Sequence, residues 1–67
     1  MSPPKYPDIE VRLSGRDGNA FAILGAVQKA MRRAGLTQEQ IDDYTTEATA
    51  GDYHHLLSTT IRYVEVV

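Results

Sequence analysis

The side chains best equipped for chemistry in this chain are Asp52, His54, His55 and Ser58, which sit together in one short stretch. A histidine with a carboxylate and a hydroxyl is raw material for metal binding, general acid–base catalysis or nucleophilic catalysis. The spacing works against all three. Neighbours on a helix point about 100° apart, so His54 and His55 do not converge on one ion. HxxxH and HExxH spacings are absent, and a chain without cysteine has no CxxC pair. One histidine is expected to be exposed and the other to flank the core. No nucleophile–base spacing surrounds Ser58. The expectation is no catalytic residue, no metal and no cofactor.

Charge offers two further candidates. The loop Ser14-Gly15-Arg16-Asp17-Gly18-Asn19 leads from a strand to a helix N-terminus, a place that suits anions. It has neither the P-loop nor the GxGxxG pattern, and Asp17 would repel a phosphate; a structural turn and cap is the expectation. Lys29, Arg32 and Arg33, with Arg12 and Arg16 in reach, make a small basic patch of the kind phosphates want. The following helix carries Glu39, Asp42, Asp43 and Glu47, and the net charge is -2, so nucleic acid is disfavoured. A mixed-charge solvated surface is the plainer reading of both clusters.

Small residues form the last candidate. Ala22, Gly25 and Ala26 lie on the outer side of the first helix, with Lys29 and Arg33 continuing that side. Glycine inside a helix costs roughly 1 kcal/mol against alanine, which asks for a packing reason, inside the domain or against a partner. Val64 and Val66 sit in an apolar C-terminal segment with only Glu65 to guard its edge. These seven residues, Ala22, Gly25, Ala26, Lys29, Arg33, Val64 and Val66, are the candidate interface.

The elements that must position them are legible. Residues 1–8 hold all three prolines and read as a flexible arm; residues 9–67 read as one domain. Ile9-Glu10-Val11-Arg12-Leu13 alternates apolar and charged side chains, the pattern of a half-buried strand. Gly15, Asp17 and Gly18 then break it. Asn19 is a good N-cap, with Asp17 competing. From there Ala20, Ile23, Leu24, Val27, Ala30, Met31 and Ala34 recur at helical spacing, and Gly35 follows as the natural C′ residue. Thr37 with Gln40 makes a capping box, and Leu36 with Ile41 a hydrophobic staple. That second helix runs to about Ala50, with Ile41, Tyr44, Thr45 and Ala48 inward and Glu39, Asp43 and Glu47 outward, and Gly51 ends it. The short link makes the two helices an antiparallel hairpin. Asp52 caps a third helix with Tyr53, Leu56, Leu57, Thr60 and Ile61 on one face. A switch to strand falls near Arg62, or as early as Thr59, and Tyr63-Val64-Glu65-Val66-Val67 is β-branched and aromatic.

The predicted fold is α+β with the order β-α-α-α-β. A two-stranded sheet from the chain ends packs on the helical hairpin and the short third helix. If each element reverses direction the strands are parallel. The predicted core is Ile23, Leu24, Val27, Met31, Ile41, Tyr44, Leu56, Leu57 and Ile61, with Val11 and Leu13 beneath. At 67 residues without cysteine, stability must come from this core, from capping or from a partner. No apolar run approaches the ~20 residues of a membrane span, and the first residues have no apolar signal core.

Taken together, Asp17-Gly18-Asn19-Ala20-Phe21-Ala22-Ile23-Leu24-Gly25, Arg32-Arg33-Ala34-Gly35, Glu47-Ala48-Thr49, Gly51-Asp52-Tyr53 and His55-Leu56-Leu57 resemble a family of small bacterial proteins often encoded in phages and plasmids. The resemblance covers the chain from about Val11 to Val66. It implies a bacterial or phage origin and a cytoplasmic setting. It assigns no activity, cofactor or residue role, and its motif positions are the same ones that serve capping, turning and core.

Three kinds of function follow. The expectation is a small protein–protein interaction module or modulator, with the partner unnamed and a homodimer among the options, joined by strand edges or by the small face of the first helix. The alternative is a nucleic-acid-binding module using the basic end of that helix. An enzyme ranks last, because no convergent polar cluster is visible.

Overall fold

The computed structural model describes residues 3–13 and 19–67. Strand β1 (Tyr6–Val11) is followed by helices α1 (Ala20–Arg33), α2 (Gln38–Ala48) and α3 (Tyr53–Tyr63) and by strand β2 (Val64–Val66). The architecture is α+β in the expected order. The two strands form a parallel sheet, which the three helices make possible by carrying the chain back between them.

β1 starts earlier than the alternation suggests. Tyr6, Pro7 and Asp8, expected in the arm, lie in the strand, and the chain is already held at Lys5, whose N–H donates to the Arg62 carbonyl at 2.8 Å. Tyr6 pairs with Val64, Glu10 with Glu65 and Val11 with Val66, so the register is irregular between Tyr6 and Glu10. Pro7 falls inside that irregularity, where a missing N–H takes least from the ladder. β1 also stops at Val11, leaving Leu13 past the strand and only half-buried.

Local signals set the helix ends. Asn19 caps α1, its Oδ1 accepting from the Phe21 N–H at 2.8 Å, while Asp17 and Gly18 lie outside the described residues. At the other end Gly35 takes φ +89°, the Gly35 N–H reaches the Arg32 carbonyl and the Leu36 N–H reaches Met31. That is the paired bonding of a Schellman stop, and only glycine takes that φ without strain. The Thr37–Gln40 capping box forms in both directions. α2 ends at Ala48, two residues before Ala50, with Thr49 as its C-cap. Asp52 caps α3 by accepting from the His55 N–H at 2.9 Å.

The core joins one face of each helix to the inner face of the sheet. Val27, Met31, Ile41, Tyr44, Ala48, Leu56 and Val64 are buried, with Ile9, Val11, Ile23 and Leu24 around them. α3 is rotated from the expected face. Ile61 is 60% exposed and Leu57 half-buried, whereas Thr59, Thr60 and Tyr63 are buried. The buried stripe is Leu56, Thr59, Thr60 and Tyr63. Threonine can take these positions because its hydroxyl is satisfied locally: Thr60 Oγ1 donates to the Leu56 carbonyl at 2.9 Å. The switch to strand comes after Tyr63, so this tyrosine ends a helix instead of opening a strand.

Candidate functional site

Five of the seven candidate interface residues are brought together. Ala22, Gly25, Ala26, Lys29 and Arg33 line one open groove of about 450 Å³, and its other wall is Glu10, Val11 and Arg12. The helical spacing that separates these five from the buried face of α1 places them beside β1. No residue of β2 or α3 lines this groove, so it flanks β1 on the side away from its partner strand. A smaller hollow of about 280 Å³ lies at the other end of β1, where Tyr6 to Ile9 meet Ala34 and Leu36.

The main chain of β1 is directed accordingly. The Val67 N–H donates to the Val11 carbonyl at 3.0 Å, so Val11 turns its main-chain groups toward β2. Successive residues of a strand alternate in this respect, which turns the N–H and C=O of Glu10 toward the groove. Such an edge is a template for another extended chain. The helix wall is small and open. Among the described residues a Cβ added at Gly25 would meet nothing within 4 Å, so no packing among them calls for this glycine. Phe21, at one end, is 82% exposed. Lys29 and Arg33, at the other, are exposed and have no carboxylate within ion-pair distance among the described residues.

The other two candidates do not join this surface. Val64 is wholly buried and offers no side chain to a partner; it faces the helices because an apolar strand residue opposite them is core. Val66 is half-buried on β2. The strand edge that borders the groove therefore belongs to β1. Of the basic patch, Lys29 and Arg33 line the groove with Arg12, Arg32 is exposed but not in its lining, and Arg16 lies outside the described residues, as does the anion loop from Ser14 to Gly18.

The histidine region resolves into a seam between α2 and α3. His54 is exposed. The ring of half-buried His55 places Nε2 2.8 Å from the Glu47 carbonyl, a contact that calls for a proton on that nitrogen. Gly51 lies against the same ring, and a Cβ there would come within 2.8 Å of His55 Cβ and Cγ. Glu47 is no free member of an outer stripe: its carboxylate accepts from the Tyr63 hydroxyl at 2.7 Å and pairs with Arg62 at 3.2 Å. Arg62 also donates to Thr59 Oγ1 at 3.2 Å, and the Tyr44 hydroxyl bonds Thr60 Oγ1 at 2.8 Å. The Tyr63 ring meets Tyr44 edge-on at 5.4 Å and Tyr6 at 6.3 Å, with the Lys5 ammonium 5.4 Å from its centroid.

The electrostatics of the seam follow from these bonds. Donation by Tyr63 holds the Glu47 carboxyl below the usual range against the effect of burial, with the Arg62 charge assisting. The same bond, together with burial and the negative charges of Glu47 and Asp43, pushes the Tyr63 hydroxyl up to about 12. Burial raises Tyr44, and its bond to Thr60 opposes the rise. Among the described residues no buried side-chain nitrogen or oxygen lacks a partner, and no group of three or more histidines and carboxylates could hold a metal. The seam fastens α3 to α2 and leaves no convergent polar group facing a cavity.

Sequence reasoning missed the burial of Tyr63, the exposure of Phe21 and the meeting of β1's edge with the small face of α1 in one groove. Tyr63 was within reach, since Leu56, Thr59, Thr60 and Tyr63 keep helical spacing once threonine is admitted as a core residue. Nothing in the sequence places Glu10 against Gly25. No family model, curated protein or solved structure matches the chain. Among the described residues no helix is long and apolar enough to cross a membrane.

Proposed function

We propose that this chain is a small protein–protein interaction module that receives its partner in the groove between β1 and α1. The observation that carries the reading is the pairing of an open strand edge at Glu10 with a helix wall of small residues, exposed Ala22 and Gly25 beside half-buried Ala26. Among the described residues Gly25 packs against nothing and the main chain of Glu10 faces away from β2, and a free strand edge beside a small-residue helix wall is a standard means of holding another polypeptide. A mobile-element origin and a cytoplasmic setting belong to the same proposal and rest on the sequence resemblance.

Lys29 and Arg33 on the groove favour a second reading, a nucleic-acid-binding module. Against it stand Glu39, Asp42 and Asp43, all exposed on α2, and the net charge of -2. A photo-reactive amino acid at Ala22, in the groove, and another at Asp43, on α2, separate the two in the native cells. Protein adducts from position 22 and none from position 43 are expected. Nucleic-acid adducts at position 22, or no adduct there, would overturn the interaction reading.

A further inference from the structure

We infer that the groove takes an extended acidic segment of another protein, which adds to β1 as a third strand and sets two carboxylates on Lys29 and Arg33. This rests on the interaction reading and names the occupant. The main-chain N–H and C=O of Glu10 both turn to the groove. A peptide strand, whose donors and acceptors alternate along its own length, answers both groups, whereas a helix has its main-chain groups bonded internally. Charge selects the kind of strand. Lys29 and Arg33 are exposed, lack an acidic partner among the described residues and line the same wall. One helical turn sets them about 6 Å apart along the α1 axis. Alternate residues of a strand are about 6.7 Å apart and face the same side. Acidic side chains at positions i and i+2 therefore match the two cations. Phe21 lies about 12 Å further along α1, which corresponds to an apolar residue some four positions from the nearer acid.

A second copy of this chain fits the groove poorly. Pairing β1 with its own twin in one continuous sheet would bring both α1 helices to the same side, where each would compete for the space the other lines. It would also turn the twin's Glu10 to the sheet face away from α1, since Ile9 and Val11 face the helices.

The test is a selection of displayed random peptides of about ten residues against the wild-type chain, repeated with the Lys29→Glu/Arg33→Glu double variant. Both positions are exposed, and circular dichroism verifies that the variant keeps its fold. Enriched peptides are expected to carry Asp or Glu at i and i+2, an apolar residue about four positions away and no internal proline. The best synthetic peptide should protect the Glu10 amide from hydrogen exchange and bind the double variant at least about tenfold more weakly. No enrichment, enrichment of basic or helix-periodic peptides, or unchanged binding to the variant would overturn the inference. So would a wild-type dimer in sedimentation equilibrium that the double variant abolishes. If any of these occurs while protein adducts still form at Ala22, only the acidic strand is lost and the interaction module stands. If the adducts are missing too, both fall.

Discussion

The seam between α2 and α3 and the groove between β1 and α1 each carry charged side chains and a glycine, and they use them in opposite ways. In the seam, Glu47 is held by Tyr63 and Arg62, His55 by the Glu47 carbonyl, and Thr60 by Tyr44 and Leu56. In the groove, Lys29 and Arg33 have no acidic partner among the described residues, and the main chain of Glu10 points away from β2. The glycines show the same contrast. Gly51 is filled to contact by His55, whereas Gly25 looks onto open space. A closed polar network holds a fold in one arrangement. An open edge beside charges that have no acidic partner among the described residues leaves its polar groups to solvent, and the proposed binding surface rests on that difference.

Variants in both regions test the contrast. The buried side of α1 sets the scale: Leu24→Ala should cost ~2–5 kcal/mol in a denaturant melt, and in a domain this small that approaches the whole folding free energy. A parent-like midpoint would mean that α1 does not bury this face. In the seam, Gly51→Ala drives a Cβ into the His55 side chain and should destabilise by ~1–3 kcal/mol. If that variant melts like the parent, the seam is looser than its contacts imply.

Tyr63→Phe removes the bond to Glu47 and should cost about 1–2 kcal/mol near neutral pH. Its pH dependence carries a sign. The folded hydroxyl is raised to about 12 against an unfolded value of about 10, so the contribution is whole below pH ~10 and fades as the pH climbs toward 12. Glu47 is depressed, so its contribution is present above the ordinary glutamate value and is lost as pH falls through the folded one. Melts across pH should therefore converge with those of Tyr63→Phe at the alkaline end and of Glu47→Gln at the acid end. Parallel curves throughout would remove the seam's electrostatic role.

In the groove the expected effects are small or reversed. Gly25→Ala has room for its methyl and should stabilise the free chain by up to ~1 kcal/mol. A loss of stability would show that something in the folded chain already fills that space. Lys29→Glu should leave the melting midpoint within about 0.5 kcal/mol of the parent, because nothing in the described fold uses the charge. A larger drop would mean that the rim is part of the structure after all.

How much of this was legible can be judged residue by residue. The caps at Asn19, Thr37 and Asp52 and the stop at Gly35 were readable because they depend on neighbours within four positions. The start of β1 was not, because Pro7 looks like a strand breaker until the irregular register accommodates it. Ile61 was misplaced because hydropathy ranks isoleucine above threonine, while the folded chain hides the hydroxyls of Thr59 and Thr60 in bonds that composition does not display. The five residues on α1's outer side were visible as a stripe, but their partner in the groove was not.

The order of elements, the ends of the helices and the inward face of α1 and α2 follow from local patterning, since periodicity and capping are properties of neighbouring residues. Tertiary structure decided which strand edge borders the groove, the rotation of α3 and the placing of Tyr63 between Tyr6 and Tyr44. It also decided that Glu10 and Gly25 face one space. These are contacts between segments far apart in the chain, and they follow from how the helices and sheet fill volume against one another, which no stretch of residues specifies alone.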